Sequence, residues 1–362
     1  MTRPHPAAPP VVLHLPPDRN PYQDLLCRGL AEHGVVARVH RGGLVDLLRR
    51  ETRRQADILH LHWLHKFFAG QPLLRGTARS VLLVLVIALW RLQGKRIVWT
   101  VHNISHHEGA RPWLDRSLST VVAWLAHRVV SHSGAGQVAI TRRFRIPRAK
   151  VVVAHHGNYL ACVPPTPVGD GSQVRFLFFG QVRPYKGVED LLEAFSQLSG
   201  NVELRIVGNV RTEDLQRRLE HAEAADSRLS LVAEFVPDEV LHDNLRWCSV
   251  VVLPFARSFS SGSLLYALSS GRPVVLPNNQ FLREYISDEA TITYGSDEDE
   301  LLSALQTAMS ADLPAMGQAA LELAQRFDWH DVVTPLLTAY GARSLDEGAP
   351  SARRGEAERD HE

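Results

Sequence analysis

Two stretches carry residues that can hold an anion. In QVRPYKGVEDLLEAF (residues 181–195), directly after the apolar run VRFLFFG, Gly180 gives a tight strand exit and Arg183 and Lys186 extend from the loop. Gly187 then lets the backbone turn into a helix with acidic residues in its first turn. Arginine can hold a diphosphate bidentately and lysine acts on it as a point charge. On a solvated loop the same two cations would bind nothing in particular. The second stretch is SFSSGSLLYALSSGRPVVLP (258–277), where a helix is expected to begin near Ser261 and end at Gly271. The backbone N–H groups of Ser261, Gly262, Ser263 and Leu264 would point out of its positive end. Gly262 has no side chain to keep phosphate oxygens away, and Ser263 adds a hydroxyl donor. The plain alternative is a serine N-cap on a turn of small residues. Both stretches follow strands of what reads as one sheet, where open parallel sheets bind ligands.

A third group is histidine: His60, His62 and His65 in HLHWLH, and His102, His106 and His107 in VHNISHHE. His60 and His62 share one strand face by the period of two, and imidazoles at that spacing can share an ion. No carboxylate or thiolate completes a set at familiar spacing, so no metal is expected. His102 stands at the carboxyl end of IVWTV, placed either to face a cleft or to be hydrogen-bonded within the core.

The elements around these residues alternate short apolar strands with longer amphipathic helices, twice over, as doubly wound α/β domains do. Strands are expected at Val11–Leu15, Val35–His40, Ile58–His62, Arg96–Val101, Val129–His132 and Val151–His155, with helices at Pro21–His33 and Pro72–Gln93. The second half restarts at VRFLFFG and repeats through VELRIVG, LSLVAEF, SVVVLPF and RPVVLP. This divides the chain into an arm (1–10), a first domain (11–162), a Pro/Gly-rich linker (163–173), a second domain (174–328), a last helix (329–341) and a tail expected to be disordered (342–362).

Three well-separated cysteines suggest neither a disulfide framework nor a thiolate zinc site, and the proline-rich opening MTRPHPAAPP is not expected to be a signal peptide; a cytoplasmic protein is expected. The longest apolar run, Val81–Trp90, is ten residues against the roughly 20 of a bilayer span, so it is not expected to cross a membrane. Net charge is +1, but residues 1–150 hold 23 Lys+Arg and 8 Asp+Glu, and residues 151–362 hold 17 and 31. A basic half can meet an anionic partner, or the two halves can simply attract each other. Nucleic acid is not expected, because no recognition motif accompanies the charge, and no GxGxxG follows a strand to hold a nicotinamide cofactor.

FGQVRPYKGVEDLLEAF, LRIVGN, FVPDEVLHDNLRWCSVVVLPF and SGSLLYALSSGRPVVLPN, in that order, resemble the nucleotide-sugar domain of GT-B glycosyltransferases of the family 4 type. NPYQDLLCRGLAEHG, DILHLHW and GKRIVWTVHNISHHE resemble the acceptor domain of the bacterial β-1,4-mannosyltransferase-like enzymes that act on glycolipids. The resemblance covers about residues 11–341 and implies two Rossmann-like domains facing a cleft, with a C-terminal helix returning toward the first. It also implies transfer of a sugar from a nucleotide diphosphate sugar, foremost mannose from GDP-mannose, to a lipid-linked or otherwise anionic acceptor, without metal or other cofactor. A GT-B sugar-nucleotide epimerase and a non-catalytic sugar- or lipid-binding homologue are the alternatives.

The family usually carries two glutamates eight positions apart, where Ser258 and Tyr266 stand here; Tyr266 either replaces the ribose carboxylate through its hydroxyl or packs. Glu284 in FLREYI is the nearest spare carboxylate, or a surface residue. Gln181 replaces the usual arginine after the strand glycine. His102, with a pKa near neutrality, or Glu108 would serve as base or steady the sugar. The apolar run of helix 72–93 is expected to be buried. Its rim of Arg75, Arg79, Arg91, Lys95 and Arg96, with Arg49, Arg50, Arg53 and Arg54, would then face a lipid diphosphate or the inner, anionic face of a membrane.

Overall fold

The computed structural model describes residues 9–104, 111–169, 173–255, 258–295 and 298–341. The opening arm to residue 8, Glu108 with His106 and His107, residues 170–172 of the linker and the tail lie outside them.

Valine, isoleucine and leucine runs that are buried on both faces form parallel strands. The first sheet has β1 (Val11–Leu15), β2 (Val36–Val39), β3 (Ile58–Leu61), β4 (Arg96–Thr100), β5 (Arg128–Ser131) and β6 (Val151–Val153), in the order β2-β1-β3-β4-β5-β6. The second has β7 (Val174–Phe179), β8 (Val202–Val207), β9 (Leu229–Val232), β10 (Val250–Val252), β11 (Val274–Pro277) and β12 (Thr291–Tyr294), in the order β12-β11-β10-β7-β8-β9. Each pairing is parallel. The strand order therefore reverses between β1 and β3 in one sheet and between β7 and β10 in the other, the switch points at which such sheets open a crevice. Both stretches expected to hold an anion leave the second of these: one follows β7, the other β10.

Helix α1 (Tyr22–Glu32) covers the first sheet, as do α2 (Leu73–Leu92), α3 (Pro112–Leu125) and α4 (Gly134–Phe144). In the second half, α5 (Val188–Ser196) follows β7, α6 (Asp238–Trp247) precedes β10 and α7 (Gly262–Ser269) follows it. One buried apolar cluster runs through both halves, from Tyr22, Leu26 and Tyr159 to Leu264, Leu268 and Trp329. The C-terminal helix does return to the first half, but as two pieces, α8 (Trp329–Val332) and α9 (Thr334–Tyr340). Pro335, which has no N–H to continue a helix, stands in the first turn of α9. The Trp329 ring fills the space that a side chain on Gly157 would occupy, its backbone and Cβ press against Gly29, and its indole N–H donates to the Asn158 carbonyl (2.7 Å).

Helix α2 departs from the expectation of a buried run. Leu83, Val86, Ile87 and Trp90 are fully buried against the sheet, but Leu74 is 85% exposed, Leu85 58% and Leu92 86%. A run that is apolar all round must put one face outward when only one side meets a sheet. Over its full 20 residues the helix is long and apolar enough to cross a membrane, although Val81–Trp90 alone is not; here its inner face belongs to the core.

Candidate active site

The loop after β7 is fixed by glycine. Gly187 adopts φ +67°, and a Cβ there would lie 2.4 Å from the Pro254 carbonyl oxygen, so only glycine lets this turn close on the exit of β10. The turn sets Lys186 with its ammonium 4.0 Å from the centroid of the Phe255 ring. Arg183, expected to extend from the loop, is instead 6% exposed. Its guanidinium donates to the carbonyls of Val182 and Asn209, both at 2.9 Å, and to Gln181 Oε1, stitching the exits of β7 and β8 together. The carbonyls that draw it inward belong to strand ends that meet only in the folded sheet.

At α7 the Ser261 hydroxyl accepts from the Leu264 N–H (3.1 Å), so one of the four expected donors is used by the cap. The N–H groups of Gly262 and Ser263 have no partner among the described residues. Ser263 Oγ would lie 3.7 Å from a Cβ on Gly180, which brings the two loops side by side. A Cβ on Gly262 would meet the Tyr159 hydroxyl at 3.1 Å and Asn20 Nδ2 and His156 Nε2 at 3.9 Å, all from the first half. The helix start is therefore an anion-compatible surface pressed against the opposite wall of the cleft.

Tyr266 packs. Its ring lies between Tyr159 and Phe179, and its hydroxyl bonds His242 Nε2 on α6 (2.9 Å). Burial, with Asp238 nearby, raises its pKa. Glu284 is neither a spare carboxylate nor a free surface group: Oε1 accepts from Gly134 N–H at the start of α4 (2.7 Å), and Oε2 meets His155 Nε2 (2.6 Å). Beside it, the Tyr285 hydroxyl donates to the His132 carbonyl (2.5 Å) and accepts from His156 N–H (2.8 Å). The turn after β11 is thus clamped to the first half.

The opposite wall holds more histidine than the motifs announced. His14 in β1, His60 and His62 at the end of β3, His102 after β4, His132 after β5 and His156 after β6 are all buried along the carboxyl edge of the first sheet. His14 and His60 are paired across β1 and β3. Tyr22 sets its ring edge against His62, His102 and His132. His14 and His132 were missed because each stands alone in its own stretch, and His156 because only His155 beside it was read, as a strand end; the readable signal was a histidine near the end of strand after strand. His14 Nδ1 lies 3.0 Å from His62 Nε2, and His62 Nδ1 lies 3.1 Å from His102 Nε2. His60 bonds the Tyr340 hydroxyl (2.7 Å) and Thr100 Oγ1 (2.8 Å).

Burial, and secondarily the neighbouring imidazoles, push His60, His62 and His102 well below 6.5. Burial lowers His14 and His156 to about 3 and His132 to about 4. His102 is accordingly neutral, not poised near neutrality as expected. Its ring stacks on Trp63, its backbone carbonyl accepts from Ser260 Oγ (3.0 Å), and it lines a small cavity of ≈ 30 Å³ with Thr100, Asn103 and Asp115. That serine stands next to the α7 cap, so His102 is one of the places where the two walls touch.

One nitrogen from each of His14, His60 and His62 lies within 4.8 Å of the others, close enough for a metal. Five of these six ring nitrogens already have hydrogen-bond partners, however, and among the described residues no carboxylate or thiolate joins the group.

A family model described as glycosyl transferases group 1 matches residues 173–311. The chain is 32% identical over 288 residues to a GDP-mannose:glycolipid 4-beta-D-mannosyltransferase of Xanthomonas campestris pv. campestris, covering 78% of each. It is 25% identical over 272 residues to the O-antigen chain mannosyltransferase B of Escherichia coli, covering 68% of this chain and 70% of that one. In fold it is similar to Anabaena HepE solved with UDP and glucose (TM-score 0.69, 16% identity, 92% of this chain and 99% of that one). It is likewise similar to the sucrose-phosphate synthase of Thermosynechococcus elongatus (TM-score 0.67, 16% identity, 92% and 98%). With two parallel sheets meeting at their switch points, a GT-B fold and this degree of identity, the chain belongs to the group 1 glycosyltransferases and is a glycosyltransferase.

Proposed function

We propose that this glycosyltransferase takes mannose from GDP-mannose and transfers it, with β linkage, to a lipid-linked acceptor at an anionic, cytoplasm-facing membrane surface. The donor and acceptor classes follow the Xanthomonas relative. The observation that carries the reading is the start of α7 facing Asn20, His156 and Tyr159 across the cleft. There Gly262, Ser263 and Lys186 offer the diphosphate two backbone donors, a hydroxyl and a cation while the sugar projects toward His102. The acceptor oxygen forms a bond to the anomeric carbon as the bond from that carbon to the diphosphate oxygen breaks. GDP leaves with the electron pair, and the acceptor proton passes to a base, for which Glu108 is the carboxylate the sequence offers. No metal is needed in this scheme.

A membrane partner is supported by the outer face of α2 with its neighbour α3, where Leu74, Val81, Leu85, Trp113 and Trp124 are exposed on the half that carries the excess of Lys and Arg. Three free thiols, Cys27, Cys162 and Cys248, suit a reducing compartment.

The test supplies GDP-mannose, GDP-glucose, UDP-glucose and UDP-galactose to the purified protein with and without a polyprenyl-diphosphate oligosaccharide. GDP-mannose alone should raise the melting temperature appreciably, and mannose should enter the lipid-extractable product only when acceptor is present. Preference for a uridine donor would overturn the donor assignment. Donor conversion independent of acceptor would point to an epimerase.

A further inference from the structure

Neutral imidazole has one N–H and one bare nitrogen, so in a chain of three the direction of one hydrogen bond sets the direction of the next. His14, His62 and His102 form such a chain through contacts of 3.0 and 3.1 Å, and all three are buried. Two arrangements exist. In one, His14 Nδ1–H donates to His62 Nε2, His62 Nδ1–H donates to His102 Nε2, and His102 carries its proton on Nδ1. In the other, every proton sits on Nε2.

His14 Nε2 decides between them, because it is buried with no hydrogen-bond partner among the described residues. In the first arrangement that atom is a bare lone pair; in the second it is an N–H with no acceptor, the rarer kind of buried orphan. The same edge supplies a precedent. His132 Nδ1 faces the Ala154 carbonyl (2.9 Å), which can only accept, so the proton is on Nδ1 and the buried, unpartnered Nε2 is bare. His156 Nδ1 likewise faces a carbonyl, that of Gly157 (2.8 Å).

We propose that His62, held in turn by His14, is a positioning residue that fixes His102 as the Nδ1–H tautomer. Its Nε2 is then occupied by the His62 donor, and the ring meets the sugar as a neutral hydrogen-bond donor, not as the base. Depressed pKa values along the chain agree with neutrality throughout. The link to the sugar rests on the reading of His102 given above; the tautomer itself does not.

The experiment is long-range proton–nitrogen NMR on protein labelled with 15N-histidine, with His102→Gln to assign the His102 signals. His102 should show the Nδ1–H pattern. His62→Leu removes the donor and should let the Nε2–H form appear, with kcat falling about 10- to 100-fold, the usual cost of losing a group that orients an active residue. His62→Asn, whose amide can put an N–H near the lost Nδ1, should retain the Nδ1–H form and lose less activity than the leucine variant. An Nε2–H pattern in the parent protein, or an unchanged Nδ1–H pattern in His62→Leu, overturns the proposal. If the tautomer behaves as expected while His102→Gln transfers sugar at the parent rate, the chain stands and the contact with the sugar is what fails.

Discussion

Lys186 and Arg183 sit three residues apart and do different work. The lysine leaves a glycine-closed turn at the mouth of β10, whereas the arginine is drawn inward by the Val182 and Asn209 carbonyls. Lys186→Ala should therefore weaken donor binding roughly 10- to 100-fold, since a hydrogen bond to a charged group is worth about 1.5–3 kcal/mol, with little change in melting temperature. Arg183→Ala should instead lower the melting temperature, because three acceptors lose their donor. Calorimetric titration and thermal melts on the same preparations separate the two. Equal donor affinity in parent and Lys186→Ala would remove that side chain from the site. Residue types at this loop were readable from the sequence. The direction in which Arg183 points was not, because Asn209 joins it only through the pairing of β7 with β8.

At the scale of elements, the strands built from apolar runs were legible because such runs need no partner to be recognised: Val11–Leu15 is both the expected and the observed β1, whereas β12, Thr291–Tyr294, with two threonines in four residues, was not expected. Helix α2 was only half legible, since a run apolar on every side carries no mark of which side meets the sheet. Its outward face gives the membrane reading its test. The protein should sediment with vesicles rich in phosphatidylglycerol, less with neutral phosphatidylcholine vesicles, and less again as salt rises past the range where the Debye length is about 10 Å. Replacing Leu74, Val81 and Leu85 with serine together should abolish most of this sedimentation while leaving the buried face of Leu83, Val86 and Ile87 intact. Undiminished sedimentation of that triple variant would assign membrane contact to another surface. The histidine edge was the least legible element of all, because His14, His62, His102, His132 and His156 come from five separate stretches that only a parallel sheet sets side by side.

For the whole molecule, a row of buried neutral histidines makes stability depend on pH in one direction. The unfolded chain takes up protons near 6.5, while folded His14, His156 and His132 wait until about 3, 3 and 4. Their contribution is fully present above 6.5 and is lost as pH falls from there toward the folded values. Each group removes about 1.4 kcal/mol per pH unit in that window, so these three remove about 4 kcal/mol per unit from a typical total of about 5–15 kcal/mol. The melting temperature should be flat from pH 7 to 8 and fall steeply below 6.5, with cooperative unfolding a few units lower. A melt at pH 4.5 matching that at pH 7.5 would mean that the cluster charges without opening the fold.

The end of the chain bears on its beginning. Trp329 lies against Gly29 and Gly157, and the Tyr340 hydroxyl bonds the ring of His60. While the protein is being made, the first sheet leaves the ribosome long before these partners exist, so its histidine edge stays without its final wall until the second sheet and the helices after it have emerged. A fragment that stops before Trp329 lacks both contacts and leaves the histidine edge without its covering wall, so sugar transfer is expected only from chains that carry Trp329 to Tyr340.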